Sequence, residues 1–433
     1  MTGFNSGSIT SPFAHPRMQA GYRGGRPRPS QGLPRHRCSR RTRRRRVSGY
    51  CCKHPSQFAI EEFAGFKHLL AAWNELKRKG GDGAGEDGLT FTDFSDIERN
   101  EAIRVVGKSI MNRTYTPQPL RTALVPKDIV LGTKRELLLQ AILDRVVAKA
   151  MLMSLDGSIR ETLPNYGRDV WCTYAQIASY VRRHGRYWLA IDDVKNCYPT
   201  VPTTPALEAF CRDFYHEDDL VWLIIQIIRG HDGCDKVDGV DQGSPLAPPV
   251  VEAFLYRYLD TVLGAQFQGN PLRFRYYDNL PILANSESEG QRLMQVTGET
   301  LEPHRMSLKG EDVSGDLRDR QYNGVLLGFT PHWMDGQIKF TIPESAYEDL
   351  IAGFRKAIEA GSILTAEYVA HGWIQAHGPA LTNTVLPTVV ERVIACARQH
   401  GFRLSFRRQL TDTGRQARQR WLRLLEEESN HAC

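Results

Sequence analysis

Residues 273–284 read RFRYYDNLPILA. Charged and aromatic side chains run straight into Asp278 and Asn279, and the chain then turns apolar as LPILA. The pattern predicts strand, tight turn, strand, with a carboxylate at the tip. Asp and Asn favour such turns because they tolerate left-handed backbone and bond their own main chain, so the pair taken alone needs no function. A second carboxylate converging from a neighbouring strand would change that, since two acids at strand ends can hold divalent metal ions.

The stretch YWLAIDDV at 187–194 reads as a buried strand and offers Asp192 and Asp193. Strand alternation sends them to opposite faces, so only one can look toward Asp278. From Asp193 the chain continues DVKNCYPTV, and GVDQGSPLAPP at 239–249 reads as a turn-rich loop opening an apolar helix, VVEAFLYRYLDTVLG.

The rest of the chain surrounds these strands with helices. FKHLLAAWNELKRK places Phe66, Leu69, Leu70, Trp73 and Leu76 at helical spacing and stops at Gly80 and Gly81. A helix is expected around 97–112, then the extended stretch YTPQPLRTALVPKD, a helical pattern from Leu138 to Leu155, and helices over 205–230. A helix over 287–305, strands in NGVLLGF and GQIKFTI, and helices from Glu344 onward complete the pattern. No Gly-rich phosphate loop opens any helix, so the expected class is α+β and not a regular βαβ array.

Of 433 residues, 41% are hydrophobic and 24% charged, enough for a large core or several modest ones. No apolar run approaches the ~18 residues of a membrane span, and the N-terminus lacks a secretory apolar segment, so a cytoplasmic protein is expected. Nine cysteines without C-x-x-C argue for reduced thiols. His36, Cys38, Cys51, Cys52 and His54 match no common zinc spacing.

The net charge of +7 is unevenly placed. Residues 1–60 hold 13 Lys and Arg and no acid, leaving 43 bases against 49 acids in the remainder. This Arg-rich segment without apolar periodicity is expected to be disordered and able to neutralise phosphates. A targeting presequence or a start codon placed too far upstream fits the same composition.

In order along the chain, these blocks resemble those of reverse transcriptases, in the branch of group II introns and bacterial defence systems. DVKNCYPTV is similar to motif A, GVDQGSPLAPP to motif B and RYYDN to motif C; VPKDIVLGTKRELLLQAILDRVV resembles the fingers motifs. LLAAWNELKRKGGDGAGEDGLT and NYGRDV look like further N-terminal blocks, Lys309 sits near the lysine of motif D, and LLGF followed by GQIKFTIP resembles motif E and the run into the thumb. The resemblance covers residues 66 to 373 or so.

It implies a right-hand α+β polymerase fold: a tail over 1–57, fingers over 58–185, a palm over 186–335 with an antiparallel sheet and catalytic hairpin, and a helical thumb over 336–433. It implies RNA-templated DNA synthesis, with RNA template, DNA primer and dNTPs as partners and Mg2+ or Mn2+ as cofactor, and with a noncoding RNA or partner protein as a further partner. Asp193 and Asp278, with the carbonyl of Val194, would hold the metal ions. Lys127 and Arg135 would bind the triphosphate, Gln242 and Gly243 would meet nucleotide or template, Lys309 would lie near the nucleotide, and Tyr198 would bar a ribose 2′ hydroxyl. Outside the site, Asp144 and Arg145 read as a structural ion pair.

Two departures qualify this. Asn279 replaces the second acid of motif C, which removes charge from the metal pocket, and Val240-Asp241 stands where the family prefers Leu-Pro. The C-terminal third carries no recognisable endonuclease or zinc module, which points to a free-standing enzyme of the antiphage-defence kind. A second reading follows from Asn279: a weakened or inactive relative that binds RNA or a partner as a scaffold. A third makes the Arg-rich tail the main feature, in a protein that packages or tethers nucleic acid.

Overall fold

The computed structural model describes residues 59–79, 83–128, 133–212, 217–267, 269–310, 313–403 and 407–430, with the side chains of 126–128 and 133–135 outside that set. The Arg-rich tail and the group from His36 to His54 lie outside the described residues. The chain is a mixture of many helices and small antiparallel sheets.

Helix α1 (Ile60–Phe63) leads into α2 (Phe66–Lys79), which turns Leu69, Ala72 and Trp73 inward at helical spacing. Trp73 meets Phe91 and Phe94 edge-on, with ring centroids 4.8 and 5.2 Å away. Lys77, Arg78 and Lys79 in the last turn of α2 complement its dipole. Helix α3 (Asp96–Met111) opens with a capping box in which Ser95 and Glu98 each accept the other's backbone N–H.

Strands β1 (Arg121–Asp128) and β2 (Thr133–Leu139) form an antiparallel hairpin, and α4 (Ile142–Thr162) follows. The sequence pattern starts this helix at Leu138, but Leu137 to Leu139 pair with Ala123 to Arg121 in β2. A short apolar run such as LLLQAIL satisfies either period, and the pairing partner decides. The expected pairing of Asp144 with Arg145 gives way to separate partners, because adjacent helical residues point apart. Asp144 accepts from the Tyr115 hydroxyl and the Gln118 N–H, both at 2.8 Å, while Arg145 donates to the Gly83 carbonyl.

Helix α5 (Val170–His184) is capped by Asp169 and closed by Gly185 in the left-handed region. The central sheet then has the order β4 (Asn279–Ala284), β3 (Trp188–Asp193), β5 (Gly315–Asp316), all antiparallel. Along β3, Ala190 faces one core cluster while Leu189 and Ile191 face a second, so alternation sends Asp192 and Asp193 apart as expected.

Helices α6 (Cys197–Thr200), α7 (Thr203–Cys211), α8 (Asp218–Arg229) and α9 (Ala247–Leu255) follow β3. The last continues through a π turn (Tyr256–Asp260) into α10 (Thr261–Gln266). Helix α11 (Glu287–Leu301) packs across β3 and β4. Strands β6 (Thr330–Met334) and β7 (Gln337–Thr341) make a hairpin. The C-terminal helices are α12 (Glu344–Glu359), α13 (Ile363–Ala376), α14 (Leu386–Gln399) and α15 (Arg407–Asn430).

Two strand expectations fail. NGVLLGF is no strand: Leu327 and Gly328 take φ of 49° and 96°, making a tight turn between Leu326 and Phe329, and β6 begins only at Thr330. The arm before Asp278 is not a strand either, because Arg273 and Arg275 donate their N–H groups to Asn270 and Leu272 in successive turns. Among the described residues no helix is long and apolar enough to cross a membrane.

Candidate active site

The site grows from the register of β3 against β4. Asp193 pairs with Asn279, and one step further the Val194 N–H donates to the carbonyl of Asp278 at 3.0 Å. Tyr276 and Asn279 exchange two N–H···O bonds of 3.0 Å across the two-residue turn Tyr277–Asp278. The two acids named from sequence therefore stand on adjoining chain segments at one end of the sheet. Both also lie close enough to Cys197 to help push its thiol upward, after burial as the main cause.

The left-handed position of the turn falls on Tyr277, at φ 53°, and not on Asp278 or Asn279. A bulky side chain there costs of order 1–3 kcal/mol and persists only where its surroundings offset that cost. The Tyr277 carbonyl accepts from Arg275 Nη1 at 2.8 Å. Arg275 is fully buried between Glu252 and Asp260. Sequence reading passed over all three, although a Glu and an Asp inside the apolar run VVEAFLYRYLD were a signal, since buried charges are rare unless paired.

Lys309 lies on Asp193, Nζ to Oδ2 at 2.9 Å, in a pair about one-fifth exposed on each side. Asp192 is buried and turned away: one oxygen accepts the Asp193 N–H at 2.7 Å and the other the Gly310 N–H at 3.2 Å. Its carboxylate thus secures the segment carrying Lys309. Asn279 Nδ2 points at Asp278 Oδ1 from 3.4 Å, a long contact.

Tyr198, in the short helix α6, is partly buried against the first core cluster. Burial first, and then Cys197 and Asp278 nearby, push its phenol well above the usual range. Its carbonyl accepts from the Val240 N–H at 2.9 Å, which ties the segment after β3 to the loop holding Gln242 and Gly243. Gln242 is exposed. A Cβ at Gly243 would sit 2.9 Å from the carbonyl of Leu138 in β2, so the loop runs close against that strand. The loop is further fixed by a buried pair, Lys236 Nζ to Asp241 Oδ1 at 2.5 Å, so the unusual Asp241 serves the loop's own structure.

Lys127 and Arg135 lie on the backbone of β1 and β2, with Lys127 the extra residue where the register shifts between Pro126 and Asp128. Their side chains lie outside the described residues.

Among the described residues no group of three or more His, Cys, Asp or Glu gathers as a metal centre. What the register brings together is the backbone of two acid residues, Asp193 and Asp278, with an ammonium resting on the Asp193 carboxylate. Hard oxygen donors in so small a number suit Mg2+, which keeps several of its waters and takes only one or two carboxylates. Carboxylate and carbonyl oxygens are donors of the kind that Mg2+ or Mn2+ takes.

No family model and no curated protein sequence matches the chain. Similar solved structures include telomerase from Candida albicans in complex with a TWJ fragment of telomeric RNA, at 11% identity and TM-score 0.40, covering 71% of this chain and 62% of that one. Apo telomerase from Candida tropicalis is similar at 8% identity and TM-score 0.39, over 77% of this chain and 74% of that one. The same telomerase truncated from its C-terminal domain gives 10% identity and TM-score 0.36, over 56% and 60%. Likeness at this level carries no argument about activity.

Proposed function

We propose that this chain is a right-hand polymerase of the reverse-transcriptase kind, which extends a DNA primer on an RNA template. The observation that carries the reading is the register that sets Asp193 against Asn279 and bonds Val194 to the backbone of Asp278. It brings together two acids 85 positions apart in sequence. In this reading residues 58–185 are fingers, 186–335 palm and 336–433 thumb.

Asp193 and Asp278, with the Val194 carbonyl, would hold Mg2+ or Mn2+. When bound, such ions activate a primer hydroxyl and neutralise charge on the triphosphate. The chain's own task is positioning. Asp193 and Asp278 fix the reacting end, Lys127 and Arg135 take the triphosphate, Gln242 meets the nucleotide or template, and Tyr198 closes the space beneath the sugar. Lys309 balances charge at Asp193. A role in antiphage defence, with a noncoding RNA or partner protein, belongs to the same proposal.

The test is primer extension on an RNA template with Mg2+ or Mn2+, comparing wild type with Asp193→Ala and Asp278→Ala. Loss of dNTP incorporation in both variants at an unchanged melting temperature is expected, because each removes a metal ligand and no core contact. Unchanged incorporation in both would overturn the reading. The ammonium of Lys309 on Asp193, together with Asn279, favours a second reading as an RNA-binding scaffold. A wild type that binds RNA yet incorporates nothing with either metal would establish that one instead.

A further inference from the structure

Arg275 is the largest charged group sealed inside the protein, with none of its surface exposed. Its five N–H donors are all engaged. Nε donates to Asp260 Oδ1 at 2.9 Å and Oδ2 at 3.2 Å, and Nη2 to Asp260 Oδ2 at 2.7 Å and Glu252 Oε1 at 2.6 Å. Nη1 donates to Glu252 Oε2 and to the Tyr277 carbonyl, both at 2.8 Å. Two carboxylates thus clamp the planar guanidinium along two edges, and the remaining N–H is aimed at the turn that carries Asp278.

The helix that supplies the carboxylates is built for this. In an unbroken α-helix, residues eight apart are ~80° out of phase, so Glu252 and Asp260 would not face one guanidinium together. The π turn over Tyr256–Asp260 takes more residues per revolution and brings Asp260 back toward the face of Glu252. Asn165 Nδ2 donates at 3.2 Å to Asp260 Oδ2, the oxygen that also accepts from Arg275 Nη2. A buried ion cluster of this kind is a poor source of stability, because desolvation offsets most of the attraction. Its geometric product is definite: a fixed donor on the carbonyl of Tyr277, the residue held at positive φ beside Asp278.

We infer that the Glu252–Arg275–Asp260 cluster is a positioning device that holds the Tyr277–Asp278 turn in the one shape that presents Asp278 beside Asp193. Arg275 touches no substrate; it acts through the Tyr277 carbonyl. The inference rests on the polymerase reading for its effect on catalysis, while its effect on the turn stands independently of that reading.

The experiment compares wild type with the triple variant Glu252→Leu, Asp260→Asn, Arg275→Met, in which apolar side chains replace two members of the cluster and the amide introduced by Asp260→Asn still accepts from Asn165. Two quantities are read: hydrogen exchange of the Asn279 amide relative to that of Ala190 in metal-free protein, and the Mg2+ concentration giving half-maximal primer extension. Faster exchange confined to the turn, with the Mg2+ requirement raised roughly tenfold or more at a preserved melting temperature, is expected for a lost outer-shell support. Should the triple variant fail to fold, Arg275→Lys decides: it keeps a cation between the carboxylates but lacks the planar fork, and the same two shifts are expected. Folded variants with unchanged exchange and unchanged Mg2+ requirement would overturn the inference. Exchange is read without template or nucleotide, so a wild type that incorporates no dNTP would defeat the polymerase reading and leave the role of Arg275 decided.

Discussion

Lys309 grips Asp193 twice: its backbone N–H donates to the Asp193 carbonyl and its ammonium rests on Asp193 Oδ2, each at 2.9 Å. A strand-like bridge between Val194 and Leu308 brings the two segments together, so the cation is delivered by the backbone and not by chance rotamer choice.

The ammonium competes with any divalent ion for the same oxygen. Lys309→Met is therefore expected to tighten Mn2+ binding to the template-free protein. Both partners are partly exposed, which limits the gain to about 1 kcal/mol, or roughly fivefold. Calorimetric titration reads it. Weaker binding in the variant would mean that Lys309 holds Asp193 in the orientation the metal needs.

Gly243 sets the distance between the loop over 239–249 and the β1–β2 hairpin. An alanine there would place its Cβ 2.9 Å from a backbone carbonyl that paired strands hold in position. Gly243→Ala is expected to destabilise by about 1–3 kcal/mol, as overpacking does. Urea unfolding measures the loss. An unaffected midpoint would show that the loop moves off β2 without cost.

How much of this was legible in the sequence depends on which forces wrote each element. Helix α2 and strand β3 were readable because their apolar spacing is set by one dominant burial face. The adjacency of Asp193 and Asp278 along the chain's backbone follows from the apolar strands beside them, the run before Asp193 and the run LPILA after Asp278. The arm before Asp278 was misread as a strand because Arg275, a charged residue, points inward, and only its partners on a distant helix make that tolerable. The close approach of Gly243 to the backbone of Leu138, 105 positions earlier, left no mark in the pattern either. Long-range partners of polar residues leave no periodic trace, and these were the residues the pattern could not place.

His377 makes stability depend on pH. It is completely buried, its Nδ1 lies 2.6 Å from the Trp373 carbonyl, and burial lowers its pKa from 6.5 to about 4 despite that bond. The unfolded chain takes up a proton near the higher value and the folded chain only near the lower. The contribution of the neutral imidazole is thus fully present above pH 6.5 and is lost as pH falls toward 4. Its size is at most roughly 3 kcal/mol. Urea unfolding at pH 7, 5.5 and 4.5 should show wild type losing more stability than His377→Gln over this range. Parallel slopes in the two proteins would mean that His377 titrates normally.

Tyr198 offers the sharpest division between a site residue and a core residue. Its ring packs against the first core cluster, yet it is partly exposed and lies near Asp278. If the ring closes the space beneath the sugar, Tyr198→Ala opens it, and a ribose 2′ hydroxyl no longer collides. Discrimination by a clash costs the correct substrate little when the clash is removed, so dNTP use should survive while rNTP incorporation rises. If the ring is mainly a packing element, truncation should instead lower stability by ~3 kcal/mol or more without changing selectivity. The rNTP to dNTP incorporation ratio and the melting temperature, measured on the same preparation, separate the two. A raised ratio in a folded variant is the expected result. A lowered melting temperature with an unchanged ratio would remove Tyr198 from the nucleotide site and leave selectivity to the loop around Gln242.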